Sequence, residues 1–130
     1  MPAFSKVLFI DDDSMTVNIY ERLLKHMHFT GEFVSKGDGE QAKEYLISNK
    51  SALPDIIFVD LYMTVMSGTE FLDWFKDWCK LEDINVPVYV LSSSLSKEDF
   101  EQVCAFNIAG YIVKPITAQH LNEISTKYSV

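Results

Sequence analysis

An open α/β sheet of five parallel strands, each followed by a helix, is the fold class predicted for this chain of 130 residues. Three observations carry that expectation. Short apolar runs recur without the polar alternation of a half-exposed sheet, which is the pattern of strands covered on both faces. Apolar residues at helical spacing fill the segments between the runs. Most of the runs stop on a charged or hydroxyl residue, so the polar chemistry collects at one end of the strands.

Taken in order, the first strand is Val7 to Ile10, and Ile19, Tyr20, Leu23, Leu24 and Met27 form a helical stripe behind a cap at Ser14, with Asp13 beside it as a further capping residue. Glu32 to Ser35 is a weaker strand of edge type. Ala42, Tyr45 and Leu46 follow Asp38 as a second helix. Ile56 to Val59 is a third strand, and Phe71, Leu72, Phe75, Trp78 and Cys79 stripe a third helix. Val86 to Leu91 is a fourth strand, followed by Phe100, Val103 and Cys104 behind Ser96, where Asp99 makes a weak capping box. Tyr111 to Val113 closes the set, with Leu121, Ile124 and Tyr128 behind Thr117. Pro54 and Pro87 stand at strand entrances, where a missing N–H does least harm. Right-handed crossovers then give a flavodoxin-like (βα)5 sheet of order 2-1-3-4-5.

Composition removes several function classes. Eleven Lys and Arg against nineteen Asp and Glu leave a net charge of −8, which repels phosphate backbones and anionic lipids and argues against direct nucleic-acid binding. The longest apolar runs are too short for membrane insertion or a signal-peptide core, so the expected location is the cytoplasm. Cys79 and Cys104 lack disulfide or zinc spacing and read as two buried free thiols. His26, His28 and His120 read as helix-surface or helix-end residues, Trp74 and Trp78 as packing with a half-exposed rim, and Met63 and Met66 as packing beside a loop.

Ligands of open α/β sheets bind beyond the carboxyl ends of the strands. There the chain offers Asp11, Asp12 and Asp13 after strand one, Asp60 after strand three, Ser92 and Ser93 after strand four, and Lys114-Pro115 after strand five. Strands one and three are expected to be neighbours, and clustered carboxylates raise one another's pKa unless a cation joins them. Hard oxygen ligands on an open loop edge suit Mg²⁺. A carboxylate nucleophile, metal-holding acids and a Ser/Lys pair that neutralises oxygens are the parts of phosphoryl transfer to an aspartate.

The segments VLFIDDDSM, PDIIFVDLYM followed by SG, VYVLSSS and GYIVKP resemble, in order and spacing, the receiver domain of two-component response regulators, and the resemblance covers nearly the whole chain. It implies that Asp60 is the phosphoacceptor and that Asp11 and Asp12 are the acidic pair, with Asp12 a direct metal ligand. The main-chain carbonyl of Tyr62 would be the third protein ligand of Mg²⁺. Ser92 would hydrogen-bond the phosphoryl group and Lys114 would contact it. Gly68 stands where the family's loop enters its helix, and a cis Lys114–Pro115 bond is implied. Tyr111 matches the aromatic switch position, against which stands an ordinary packing role for a strand tyrosine. Thr64 replaces a common proline, and Tyr62 and Ser94 occupy two positions associated with phosphoryl lifetime without assigning a rate class.

The expected function is a stand-alone receiver of the chemotaxis-regulator type, one domain over residues 1–130 with no output domain. It would take a phosphoryl group from a histidine kinase or histidine phosphotransfer protein and switch a surface that binds an unknown downstream protein. It would catalyse only its own phosphorylation and dephosphorylation. An aspartate-dependent phosphatase would need a second acid where Tyr62 stands, and a nucleotide or flavin site would need glycines where Asp11 to Ser14 stand. The remaining alternative is an interaction module of the same fold that is never phosphorylated.

Overall fold

The computed structural model describes residues 4–93 and 96–128, and Ser94 therefore lies outside the described residues. Five parallel strands, β1 (Lys6–Ile10), β2 (Glu32–Lys36), β3 (Ile56–Asp60), β4 (Val88–Ser92) and β5 (Gly110–Val113), form one sheet in the order β2-β1-β3-β4-β5. They alternate with α1 (Ser14–His26), α2 (Gly39–Ser48), α3 (Gly68–Glu82), α4 (Lys97–Cys104) and α5 (Ala118–Tyr128). The expected (βα)5 order is the one found. β4 begins and ends later than its apolar run suggests, because Ser92 still pairs with Val113 across the ladder.

Each strand of the sheet interior is apolar on both sides because each side has its own helical cover. Val7, Phe9, Ile56, Phe58, Leu91 and Ile112 pack with Tyr20 and Leu24 of α1 and Leu121 and Ile124 of α5. Leu8, Ile10, Ile57, Val59, Val88 and Val90 face Ala42 and Leu46 of α2, Phe71, Leu72 and Phe75 of α3, and Val103 of α4. On the α1/α5 face a row of rings crosses four strands. Phe33 stacks on Phe9 at 5.3 Å, Phe9 on Phe58 at 4.6 Å, and Phe58 meets Tyr89 at 5.8 Å. Phe9 and Phe58 are partners in register, each two residues before an acid at its strand's end, so this stiff layer sets the spacing of Asp11 and Asp60.

The helix starts show which of the expected caps form. α1 is capped by Asp13, whose carboxylate accepts from the Met15 N–H at 3.1 Å, while Ser14 is already the first helical residue. Carboxylate wins here because it accepts from the Thr16 hydroxyl as well, at 2.7 Å. Asp38 and Ser96 cap α2 and α4 as expected. Ser67 and Glu70 make a full capping box on α3. At α5 the Thr117 hydroxyl accepts from the His120 N–H and the His120 ring accepts from the Thr117 N–H, which gives His120 a helix-end role.

Two apolar expectations change. Ile19 is 59% exposed although its spacing matches the α1 stripe, because Tyr20 and Leu24 already fill that face. Both cysteines are free, but Cys104 is exposed and Cys79 only half-buried, since α4 buries Val103 and turns its neighbour outward.

Candidate functional site

The carboxyl ends of β1, β3, β4 and β5 deliver Asp11, Asp60, Ser92 and Lys114 to one place. Asp11 and Asp60 are buried, Ser92 is fully buried, and Asp12 is exposed at the rim. The Lys114 ammonium donates to Asp11 Oδ2 at 3.0 Å and lies 3.1 Å from Asp60 Oδ1. Asp11 Oδ1 accepts from the Asp13 N–H at 2.9 Å, so both of its oxygens are engaged. The Lys114 N–H donates to the Ser92 carbonyl at 2.7 Å, which ties the lysine's backbone to the end of β4, and the Lys114–Pro115 peptide is cis as expected.

Electrostatics follow from this packing. Burial, and after it the charge of Asp11, pushes the Asp60 carboxyl above its ordinary value, and Lys114 only partly offsets them. Burial alone would lower the Lys114 ammonium. Its hydrogen bonds to Asp11 and Asp60 outweigh that effect and hold it above the ordinary lysine value. The site is therefore a cationic side chain clamped between two buried acids, one of which is held in an unfavourable charge state.

One carboxylate oxygen each from Asp11, Asp12 and Asp60 lie within 4.8 Å of one another. An octahedral Mg²⁺ with bonds of about 2.1 Å has oxygen–oxygen separations of roughly 3 to 4.2 Å, so a small contraction brings this donor set into range. All-oxygen donors at an open edge, with room for waters, fit that ion. Tyr62 follows in the loop after β3 and is 57% exposed. Its hydroxyl donates to Asp99 of α4 at 2.6 Å.

Gly68 opens α3 where the chain turns back beside the strand. A Cβ there would stand 2.5 Å from the Asp60 carbonyl oxygen and 2.8 Å from the Leu61 Cα, distances that backbone cannot accommodate in place. The absence of a side chain lets the Gly68 N–H reach the Leu61 carbonyl at 2.9 Å and pins the loop behind Asp60. Ser92 and Tyr111 lie on adjacent strands, with Tyr111 paired to Val90. The Tyr111 ring is half-buried and meets Phe100 of α4 edge-on at 5.4 Å. Sequence reasoning misses the Tyr62–Asp99 contact and the Thr117–His120 pair. The Ser67-x-x-Glu70 spacing is a readable signal for the α3 cap.

An open parallel sheet whose carboxyl edge gathers three carboxylates, a serine and a lysine defines the chain as an α/β protein with an acidic site at the strand ends. It belongs to the response regulator receiver domain family, whose model matches residues 7–126. The crystal structure of a two-component response regulator from Cytophaga hutchinsonii superposes with a TM-score of 0.86 at 30% identity, over 96% of each chain. The chemotaxis protein CheY4 of Vibrio cholerae gives a TM-score of 0.76 at 25% identity, over 96% of this chain and 98% of that one. The probable methanogenesis regulatory protein FilR2 of Methanothrix harundinacea is 27% identical over 118 residues, 88% of this chain and 75% of that protein. Other curated relatives are far longer. The chain spans 7% of hybrid signal transduction histidine kinase I of Dictyostelium discoideum and 50% of the probable response regulator DctR of Halalkalibacterium halodurans. Receivers are phosphoacceptor signalling domains, and none of the described helices is long and apolar enough to cross a membrane.

Proposed function

We propose that this chain is a Mg²⁺-dependent receiver that accepts a phosphoryl group on Asp60. The observation that carries the reading is Lys114 bridging Asp11 and Asp60 at 3.0 and 3.1 Å beneath an exposed Asp12. Asp60 Oδ attacks phosphorus of a phosphohistidine; the new O–P bond forms as the P–N bond breaks, and the imidazole leaves with the electron pair. Mg²⁺, held by Asp11, Asp12, Asp60 and the Tyr62 carbonyl, would supply positive charge against the phosphoryl oxygens. Lys114 exchanges a carboxylate for a phosphoryl oxygen, and the Ser92 hydroxyl donates to another.

The donor is proposed to be a histidine kinase or histidine phosphotransfer protein in the cytoplasm. Curated relatives that contain histidine kinases by name, including sensor histidine kinase CheAY of Helicobacter pylori at 28% identity over 118 residues, support that partner class. Within this receiver, Ser92 and Tyr111 are read as passing the change to the α4, β5 and α5 surface, which binds a downstream protein. Incubation with acetyl phosphate and Mg²⁺ tests the reading. Intact mass should rise by one phosphoryl group in the wild type and not in Asp60→Asn or in EDTA. Labelling of Asp60→Asn to the wild-type extent would overturn the site assignment.

A further inference from the structure

The amino edge of the sheet, opposite the acidic site, carries a cleft of about 450 Å³. Phe75 and Cys79 of α3, Val86 and Pro87 ahead of β4, and Phe106 and Ile108 ahead of β5 form its walls. Its size falls within the range of small-molecule sites, and its lining has their usual character, apolar with a few polar groups. Phe75 is buried, whereas Cys79, Val86, Phe106 and Ile108 are only half-buried. The cleft therefore leaves apolar surface against water that a ligand would cover. β4, five residues long, separates Val88 in the cleft from Ser92 at the acidic site by roughly 13 Å.

The charge of the lining decides which ligand fits. Acids outnumber bases nineteen to eleven in the chain, yet the charged residues that line the cleft, among those described, are Lys76 and Lys127, and no Asp or Glu joins them. Both ammonium groups sit at its wall. Lys76 Nζ lies 5.6 Å from the centre of the Phe106 ring and Lys127 Nζ 5.6 Å from that of Tyr128, and both rings line the cleft. A ring face attracts a cation without neutralising it. Asp73 approaches Lys76 only to 3.7 Å, in an exposed pair of little strength. Asn85 and Asn107 add side-chain amides to the same lining. We infer that this cleft binds a small amphipathic carboxylate, its apolar body against α3 and the two strand entrances and its charge drawn by Lys76 and Lys127. A single negative charge suits the site better than a phosphate dianion, because the chain as a whole carries −8 and its repulsion grows with the charge of the ligand. The inference does not depend on the role of Asp60.

Phenylbutyrate is the probe, with phenylbutyramide as its uncharged counterpart. In NMR titrations of the full chain the carboxylate should give saturable amide shifts clustered at Cys79, Val86, Phe106 and Ala109, and phenylbutyramide should bind at least about fivefold more weakly. Replacing both lysines, Lys76→Ala with Lys127→Ala, should weaken phenylbutyrate about fivefold and leave phenylbutyramide unchanged. Both side chains are exposed, so the fold is kept, which an unchanged Tm verifies. Should the Tm fall, the comparison of acid and amide on the wild type decides. The thiols report independently: phenylbutyrate should slow alkylation of Cys79 and leave that of the exposed Cys104 unchanged. No saturable shifts, shifts outside the cleft, equal affinity for acid and amide, or full affinity in a folded double variant overturns the inference, as does equal alkylation of Cys79 with and without the probe. Displacement of phenylbutyrate by an equal concentration of inorganic phosphate overturns the amphipathic class. Concentration-dependent shifts of the same amides in the protein alone assign the cleft to a second copy of the chain instead.

Discussion

Replacing Asp60 with asparagine should stabilise the resting protein, although it removes an ion pair. The substitution keeps the shape of the side chain and deletes one buried charge. With an effective dielectric near 20, the Asp11–Asp60 repulsion at up to 4.8 Å is about 3 to 4 kcal/mol and the Lys114 attraction at 3.1 Å about 5 kcal/mol. That attraction is discounted because Lys114 is 20% exposed and already shared with Asp11. The desolvation penalty of a buried carboxylate adds to the repulsion. The upward displacement of the Asp60 carboxyl gives the sign of the sum: burial and Asp11 together outweigh Lys114. Asp60→Asn should therefore gain stability at neutral pH, by an amount on the order of 1 kcal/mol as is usual for a single substitution, read as a rise in Tm of a few degrees. Because the folded-state pKa is raised, the wild type's stability from this group is present below the ordinary carboxylate value and lost as pH rises through the raised one. The mutant's advantage should accordingly vanish in acid and grow as pH climbs through that window. Calorimetry in EDTA across pH measures it. An Asp60→Asn protein less stable than the wild type at pH 7.5 without divalent cations would refute the electrostatic account of the site.

Asp12→Ala should weaken Mg²⁺ binding at least tenfold by Trp fluorescence titration while leaving the Tm in EDTA within about 2 °C, because the residue is exposed and sits at the rim. Unchanged Mg²⁺ affinity would exclude it as a ligand. Gly68→Ala should cost about 1 to 3 kcal/mol in urea unfolding and also reduce Mg²⁺ affinity, since the added Cβ displaces the backbone behind Asp60. Stability loss without any change at the metal site would separate the loop from the site. Tyr111→Ala should abolish the phosphorylation-dependent change in hydrogen exchange over α4, whose Phe100 it contacts at 5.4 Å. Persistence of that change would return Tyr111 to a packing role. A thiol reagent should modify Cys104 quickly and Cys79 slowly, because burial pushes the Cys79 thiol up to about 11; equal rates would contradict the packing of α3.

The strand ends are legible in the sequence because period and position act together there. A continuous apolar run that stops at a charged residue fixes both the strand and the edge at which its last side chain emerges, which is why Asp11, Asp60, Ser92 and Lys114 can be grouped from their positions along the chain. Side-chain partners between separate elements are not legible in the same way. Tyr62 and Asp99 meet only because the loop after β3 approaches α4, and neither spacing nor composition encodes that approach. Ile19 departs from its pattern for a related reason: a helix has room for only part of its apolar stripe against the sheet, and Tyr20 with Leu24 takes it. The α1 cap depends on competition between two adjacent oxygen-bearing residues, which geometry decides for Asp13. Tyr20 reads as core and is buried against Phe9, and only its unpaired hydroxyl sets it apart.

The central claim is that Asp60, among three neighbouring acids, carries the phosphoryl group. Borohydride reduces an aspartyl phosphate to homoserine, so phosphorylation with acetyl phosphate and Mg²⁺, reduction and peptide mapping identify the acceptor directly. Homoserine at position 60 and nowhere else is the predicted result. Homoserine at position 11 or 12, or none in a protein that has taken up one phosphoryl group, would contradict it.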